Sequence, residues 1–209
     1  MYSDLDRSCR KKLMSYGLIY MGEAEHEIKV IDISITGVLA ELYNNKKDID
    51  VKDIFNMLLT TTIIDLYLPE MRLAGEAEVV RVDVNDEHLL LALEFKNIAY
   101  DIDQHLNKRK AYRKNMPDPG QILLDGEYHQ FNTVNVSVEG LMIRLNKTIS
   151  VEEGTIASFE FNRLELIGNV EVIWSDLTTD GETLMGLRYV NINAENIKGI
   201  PRFTQQQTP

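Results

Sequence analysis

The chain has 209 residues, 44% of them apolar and 26% charged, with a net charge of -11. That length suits one large domain or two of about 100 residues, and the acidic balance argues against a chain that binds nucleic acid over its whole surface. Its single cysteine, Cys9, excludes an internal disulfide, and the longest apolar runs, such as 89–93, are strand-length rather than membrane-spanning. The first residues lack the apolar core of a secretory signal, so a cytoplasmic location without membrane insertion is expected.

In chain order, a basic cluster at 7–12 comes first. Period-2 alternation then predicts a strand over 28–35, and a short helix is expected over 51–59 behind Asp50 as N-cap. Strands over 76–84 and 89–95 follow, parted by the Asn85-Asp86 turn. A polar stretch at 101–107 marks a domain boundary. Next comes a second basic cluster, with five basic residues among the seven of 108–114. Strands are then predicted over 134–143, 157–161, 169–174 and 184–190, with turns at Asp125-Gly126, Glu153-Gly154 and Asp180-Gly181. A second short helix is expected over 194–198 behind Asn193, and a disordered tail over 204–209. The charge is uneven. Acidic residues outnumber basic ones 20 to 11 up to residue 104, and 13 to 11 beyond it.

An internal repeat organises these elements. Asp32, Ser34 and Gly37 recur as Asn135, Ser137 and Gly140, each 103 residues later. Downstream, Ala77-Glu-Val-Val-Arg81 is similar to Val170-Glu-Val-Ile-Trp174, and Leu91-Ala-Leu-Glu-Phe95 to Met185-Gly-Leu-Arg-Tyr189. A basic cluster precedes each copy. Such order-preserving similarity predicts a duplicated domain, mainly β, with the first copy over 1–104 and the second over 105–209. Several short strands with regular turns suggest small barrels or sandwiches, and barrel closure removes exposed edges.

The second copy joins Arg109-x-x-x-Arg113 to Asn135-x-Ser137-x-x-Gly140, 22 residues further on. With the Val-x-Val-Ile-Trp and Gly-Leu-Arg-Tyr strands, it resembles the PilZ family of cyclic di-GMP receptors. The resemblance implies two tandem six-stranded PilZ-type β-barrels with short helices, and cyclic di-GMP as a ligand of the second. Arg109 and Arg113 would grip phosphate and stack on guanine, because guanidinium is a planar fork of donors. Asn135 and Ser137 would hydrogen-bond the guanine edge or a phosphate, and Gly140 would allow close backbone approach. Lys108 is a further candidate contact, and Arg188 reads better as a solvated strand residue. The bland reading of the strand alone is a polar face ending in a turn.

The first copy departs from the pattern. At the four-residue spacing its cluster gives Arg7 and Lys11, and lysine lacks the bidentate, stacking plane. With its acidity and an inserted helix, the first copy reads as a degenerate barrel for packing or partner contact. The histidines His26, His88, His105 and His129 are scattered without metal-ligand spacing, and no phosphate loop or nucleophile elbow appears. Neither a cofactor nor an enzyme is expected. The function implied is a bacterial receptor that changes its interdomain arrangement on binding and acts on a protein partner in motility, biofilm or virulence. The alternatives are a constitutive interaction module and, with less support, a ligand-dependent transcription regulator.

Overall fold

The computed structural model describes residues 11–43, 51–85, 88–100, 111–192 and 197–203. Arg109 and Lys108 lie outside them, as do Asp50, the boundary at 101–107 and the tail at 204–209. The chain divides into two compact units, Met1–Lys110 with Phe203–Pro209, and Ala111–Arg202. No helix among the described residues is long and apolar enough to cross a membrane.

The first unit is built on a closed six-stranded antiparallel barrel. Its strands are β1 (Lys11–Met21), β2 (Ala24–Ile33), β3 (Gly37–Leu42), β4 (Ile63–Leu68), β5 (Leu73–Asn85) and β6 (His88–Tyr100), in the order β1-β2-β3-β6-β5-β4. Alternate residues point inward, so Ile19, Ile28, Val30, Leu66, Leu68 and Leu91 form a dry interior. Each such side chain contributes about 1.5–3 kcal/mol on burial. The expected helix is present as α1 (Val51–Leu58), between β3 and β4. It buries Ile54 and sets the Met57 thioether against Gly22 of the β1–β2 turn, while Phe55 stays exposed.

The second unit holds β7 (Lys114–Asn115), β8 (Pro119–Leu124), β9 (Glu127–Val136), β10 (Gly140–Leu145), β11 (Ile156–Phe161), β12 (Leu166–Leu177) and β13 (Thr183–Val190). The order β10-β13-β12-β11-β8-β9 closes through β9–β10 pairing into a second six-stranded barrel. Short β7 pairs with β9 beyond the end of β8. The kink between them is held by Thr133, whose hydroxyl accepts from the Asp118 amide at 2.9 Å and donates to the Met116 carbonyl. Ile122, Val136, Ile143, Phe161, Val170 and Met185 fill the interior, and Ile197 and Ile200 add to it after β13.

One predicted strand and one predicted helix differ. The strand predicted over 134–143 is two strands, β9 and β10, joined by a turn at 137–139. Apolar alternation runs through Val134, Val136 and Val138 and hides that turn. In the helix expected over 194–198, Ile197 and Lys198 are not helical, and 193–196 lie outside the described residues.

The duplication extends to backbone detail. The β1–β2 turn has Gly22 and Glu23 at φ 60° and 64°, and the β8–β9 turn has Asp125 and Gly126 at 50° and 82°. Two consecutive positive φ values suit a two-residue hairpin between twisted strands. Left-handed Arg72 and Glu165 likewise each close a short 3-10 turn leading into β5 and β12.

Candidate functional site

Two rows of residues cross the outside of the second barrel. In the first, Asn115 stands opposite Asn135, Asn135 opposite Met142, Met142 opposite Gly186, and Gly186 opposite Trp174. Partners directly opposite in antiparallel strands share a face. The neighbouring row of Val136, Leu141, Leu187 and Val172 is buried, so the Asn–Met–Trp row faces outward. Arg113 is exposed and lies one residue before Lys114, which pairs with Val136. It therefore enters this face at the Ser137 end of β9. In the second outward row, Gly140 stands opposite Arg188, and Arg188 opposite Glu171, with which it is ion-paired.

The Ser-x-x-Gly part of the motif has a local role. Ser137 is only 5% exposed. Its hydroxyl donates to the Gly140 carbonyl at 3.1 Å and accepts from the amides of Glu139 and Gly140. Short hydroxyl side chains stabilise such turns by bonding nearby backbone. A Cβ on Gly140 would stand 2.0 Å from the Leu187 carbonyl oxygen, so glycine is what lets β10 approach β13. The first barrel repeats both devices. Ser34 Oγ donates to the Gly37 carbonyl at 3.2 Å, and a Cβ on Gly37 would stand 2.1 Å from Leu93 O. Serine and glycine thus build the turn in both copies. Asn135 is half-buried and faces outward.

Sequence reasoning missed Trp174 and Met142. The Asn135 amide donates to Met142 Sδ at 3.7 Å. The Trp174 indole covers Gly186 so closely that a Cβ there would fall 2.0 Å from Nε1. The signal was already in the repeat, where Trp174 and Gly186 align with Arg81 and Ala92.

The matching row on the first barrel is Lys12, Asp32, Leu39, Ala92 and Arg81. Arg81 turns to Asp83, at 2.8 Å, instead of covering the alanine. A cavity of about 390 Å³ opens there, lined by Asp32, Ser34, Leu39, Arg81, Ala92 and Glu94 among others. Glu94 occupies the place of Arg188. Lys96 bridges it to Glu78, at 3.1 and 2.8 Å. The hydrogen bond and charge of Lys96 lower the Glu78 pKa, and Glu78 in turn raises that of Lys96.

Register also revises the match between the two arms. Lys11 pairs with Ile33 as Lys114 pairs with Val136, an offset of 103. Counted at that offset in the sequence, Arg113 corresponds to Arg10 and Arg109 to Asp6, rather than to Lys11 and Arg7. The first copy keeps one arginine of the pair and carries an acid in place of the other. Spacing alone could not reveal this, because Arg7 and Lys11 form a basic pair at the right spacing while lying one residue out of register.

Residues 107–206, just under half of the chain, match the PilZ domain family. This part of the chain is a PilZ domain. No curated protein sequence matches the chain. Among solved structures, YcgR of Escherichia coli in complex with c-di-GMP is 10% identical, covering 86% of this chain and 77% of its own, with a TM-score of 0.33. Bacillus subtilis MotI/DgrA, an inhibitor of motility, is 13% identical, covering 89% and 91% at a TM-score of 0.36. The MrkH–c-di-GMP complex of K. pneumonia is 10% identical, covering 88% and 84% at 0.36. The PilZ match spans Arg109, Arg113, Asn135, Ser137 and Gly140 together with Trp174 and Arg188. No group of metal-ligating side chains occurs among the described residues.

Proposed function

We propose that this chain is a cyclic di-GMP receptor and that the PilZ barrel binds the nucleotide. One observation carries the reading. The PilZ match includes Arg109 and Arg113 in sequence, and Arg113 leads directly into an outward row ending in an aromatic plane. Cyclic di-GMP is a dianion with two flat purines. Arg109 and Arg113 hold phosphate oxygens bidentately and stack on a base, and Lys108 adds charge. Asn135 bonds a guanine edge. Trp174 offers a stacking surface, while Ser137 and Gly140 shape the turn beneath. No step of this chemistry needs a catalytic group or cofactor.

Binding fixes an arm that is otherwise a run of like charge, and the arm continues the segment joining the two barrels. The interdomain arrangement preferred by the ligand then becomes the populated one. The acidic first barrel presents this change to a protein partner in the bacterial cytoplasm, with motility, biofilm or virulence as the output. Titration calorimetry of the full chain with cyclic di-GMP tests the reading, with Trp174 fluorescence as a second readout. Saturable micromolar binding is expected. No heat and no change in emission would overturn it.

A further inference from the structure

We infer that Asn135 makes this site tolerant of adenine, so that its ligand class extends to mixed guanine–adenine cyclic dinucleotides. The inference rests on the preceding reading that the PilZ barrel binds a cyclic dinucleotide.

The repeat supplies the contrast. On the first barrel Lys12 is paired with Asp32 in the strand register. On the second the pair is Asn115 and Asn135. A charged pair has become a neutral pair of carboxamides. An ionised carboxylate only accepts hydrogen bonds, whereas a carboxamide both donates and accepts. Guanine presents N1–H and N2–H donors beside the O6 acceptor. Adenine presents N6–H donors beside the N1 or N7 acceptor. A carboxylate meets the guanine donors, but against adenine it leaves a ring nitrogen facing another lone pair. A carboxamide pairs one donor and one acceptor with either base, and the bidentate pairing of Asn with adenine N6 and N7 is a standard example.

Whether Asn135 can serve both bases depends on what holds its amide. Its Nδ2 points to Met142 Sδ at 3.7 Å, a thioether that accepts only weakly. Rotating the amide by half a turn gives up little. The residue opposite, Asn115, is exposed and uncharged, so it imposes no charge on that choice. Arg113, exposed at the Ser137 end of β9, carries donors and no acceptor and so still favours guanine O6 and N7 for the other base. A ligand with one guanine and one adenine satisfies both halves of the site.

The test is calorimetry of the full chain with cyclic di-GMP and with 3′,3′-cyclic GMP–AMP, for the natural protein and Asn135→Asp. The fold accepts an acid at the matching position, Asp32, and circular dichroism checks that the variant is folded. The natural protein is expected to bind the two ligands within about tenfold of each other. In Asn135→Asp the mixed ligand should weaken at least about tenfold more than cyclic di-GMP, the scale of one lost bidentate base contact. Taking the ratio cancels the general repulsion of a new carboxylate. Discrimination beyond about tenfold in the natural protein, or an unchanged ratio in the variant, overturns this inference while the receptor reading stands. If neither ligand binds the natural protein, both fall.

Discussion

The indole of Trp174 lies over Gly186, and a Cβ at that glycine would stand 2.0 Å from Nε1 and 2.5 Å from Cε2. On the first barrel the same pair of positions is Arg81 and Ala92, and a cavity replaces the indole. The side chain at the strand crossing therefore decides whether this face is covered or open. Gly186→Ala should push the indole outward into water. The backbone can stay in place, because the clash is with a side chain. The emission of the chain's only tryptophan should shift to the red, at a stability cost of about 1–3 kcal/mol. Unchanged emission would mean that the indole does not rest on Gly186 in solution.

Gly140 and Gly37 behave differently, because their neighbours are backbone carbonyls that cannot swing aside. Gly140→Ala should cost the second barrel at least about 1–3 kcal/mol, and Gly37→Ala should cost the first as much. Ser137→Ala and Ser34→Ala each remove a hydroxyl from its turn and should cost about 1 kcal/mol. Chemical denaturation checks all four. Equal losses in the two barrels support a structural role for Ser-x-x-Gly. A cost confined to Ser137, or appearing only with ligand bound, would restore a ligand role for the serine.

Removing Arg109 or Arg113 should weaken cyclic di-GMP binding by about tenfold to a hundredfold, the scale of a charge-assisted hydrogen bond of about 1.5–3 kcal/mol. Arg10→Ala should have much less effect, because Asp6 stands where a second arginine would be needed. Arg7→Ala and Lys11→Ala should also be mild. Calorimetry on the full chain separates the cases. Equal losses in both arms would show that the first barrel binds nucleotide too.

The repeat carried most of the fold. Copies matched at 103 residues keep strand register at Lys11 and Lys114, and at Asp32 and Asn135. Some elements were hidden for local reasons. β1 has a register shift between Lys12 and Ser15 that breaks its alternation, and β4 interrupts its apolar run with a buried acid, Asp65. The β9–β10 turn vanished into continuous valine alternation. Part of the candidate site was legible as residue types, but the division of labour was not. Only backbone distances separate Ser137 and Gly140, which build a turn, from Asn135, which faces out. Trp174 stayed unread because a tryptophan in an apolar strand looks like core until its cross-strand neighbour is known to be glycine.

Tyr189 gives a prediction that depends on pH. Its ring stacks on Phe159 at 5.9 Å, and its hydroxyl is buried with no hydrogen-bond partner among the described residues. Burial pushes its pKa well above the ordinary tyrosine value, because the phenolate would lose its hydration. The folded chain therefore holds this proton more tightly than the unfolded chain, whose tyrosine titrates near pH 10. The associated stability is complete below about pH 10 and is lost as pH rises from there toward the folded value. Over that window the natural protein should lose up to about 1.4 kcal/mol per pH unit more than Tyr189→Phe. At neutral pH the variant should be as stable as the natural protein or more so, since it deletes a polar group that is desolvated and unpaired. Urea titrations at pH 7 and at several values above 10 measure both effects. Parallel pH profiles would mean that the hydroxyl is hydrated in solution, and a loss of more than about 1 kcal/mol in Tyr189→Phe at pH 7 would mean that it is hydrogen-bonded.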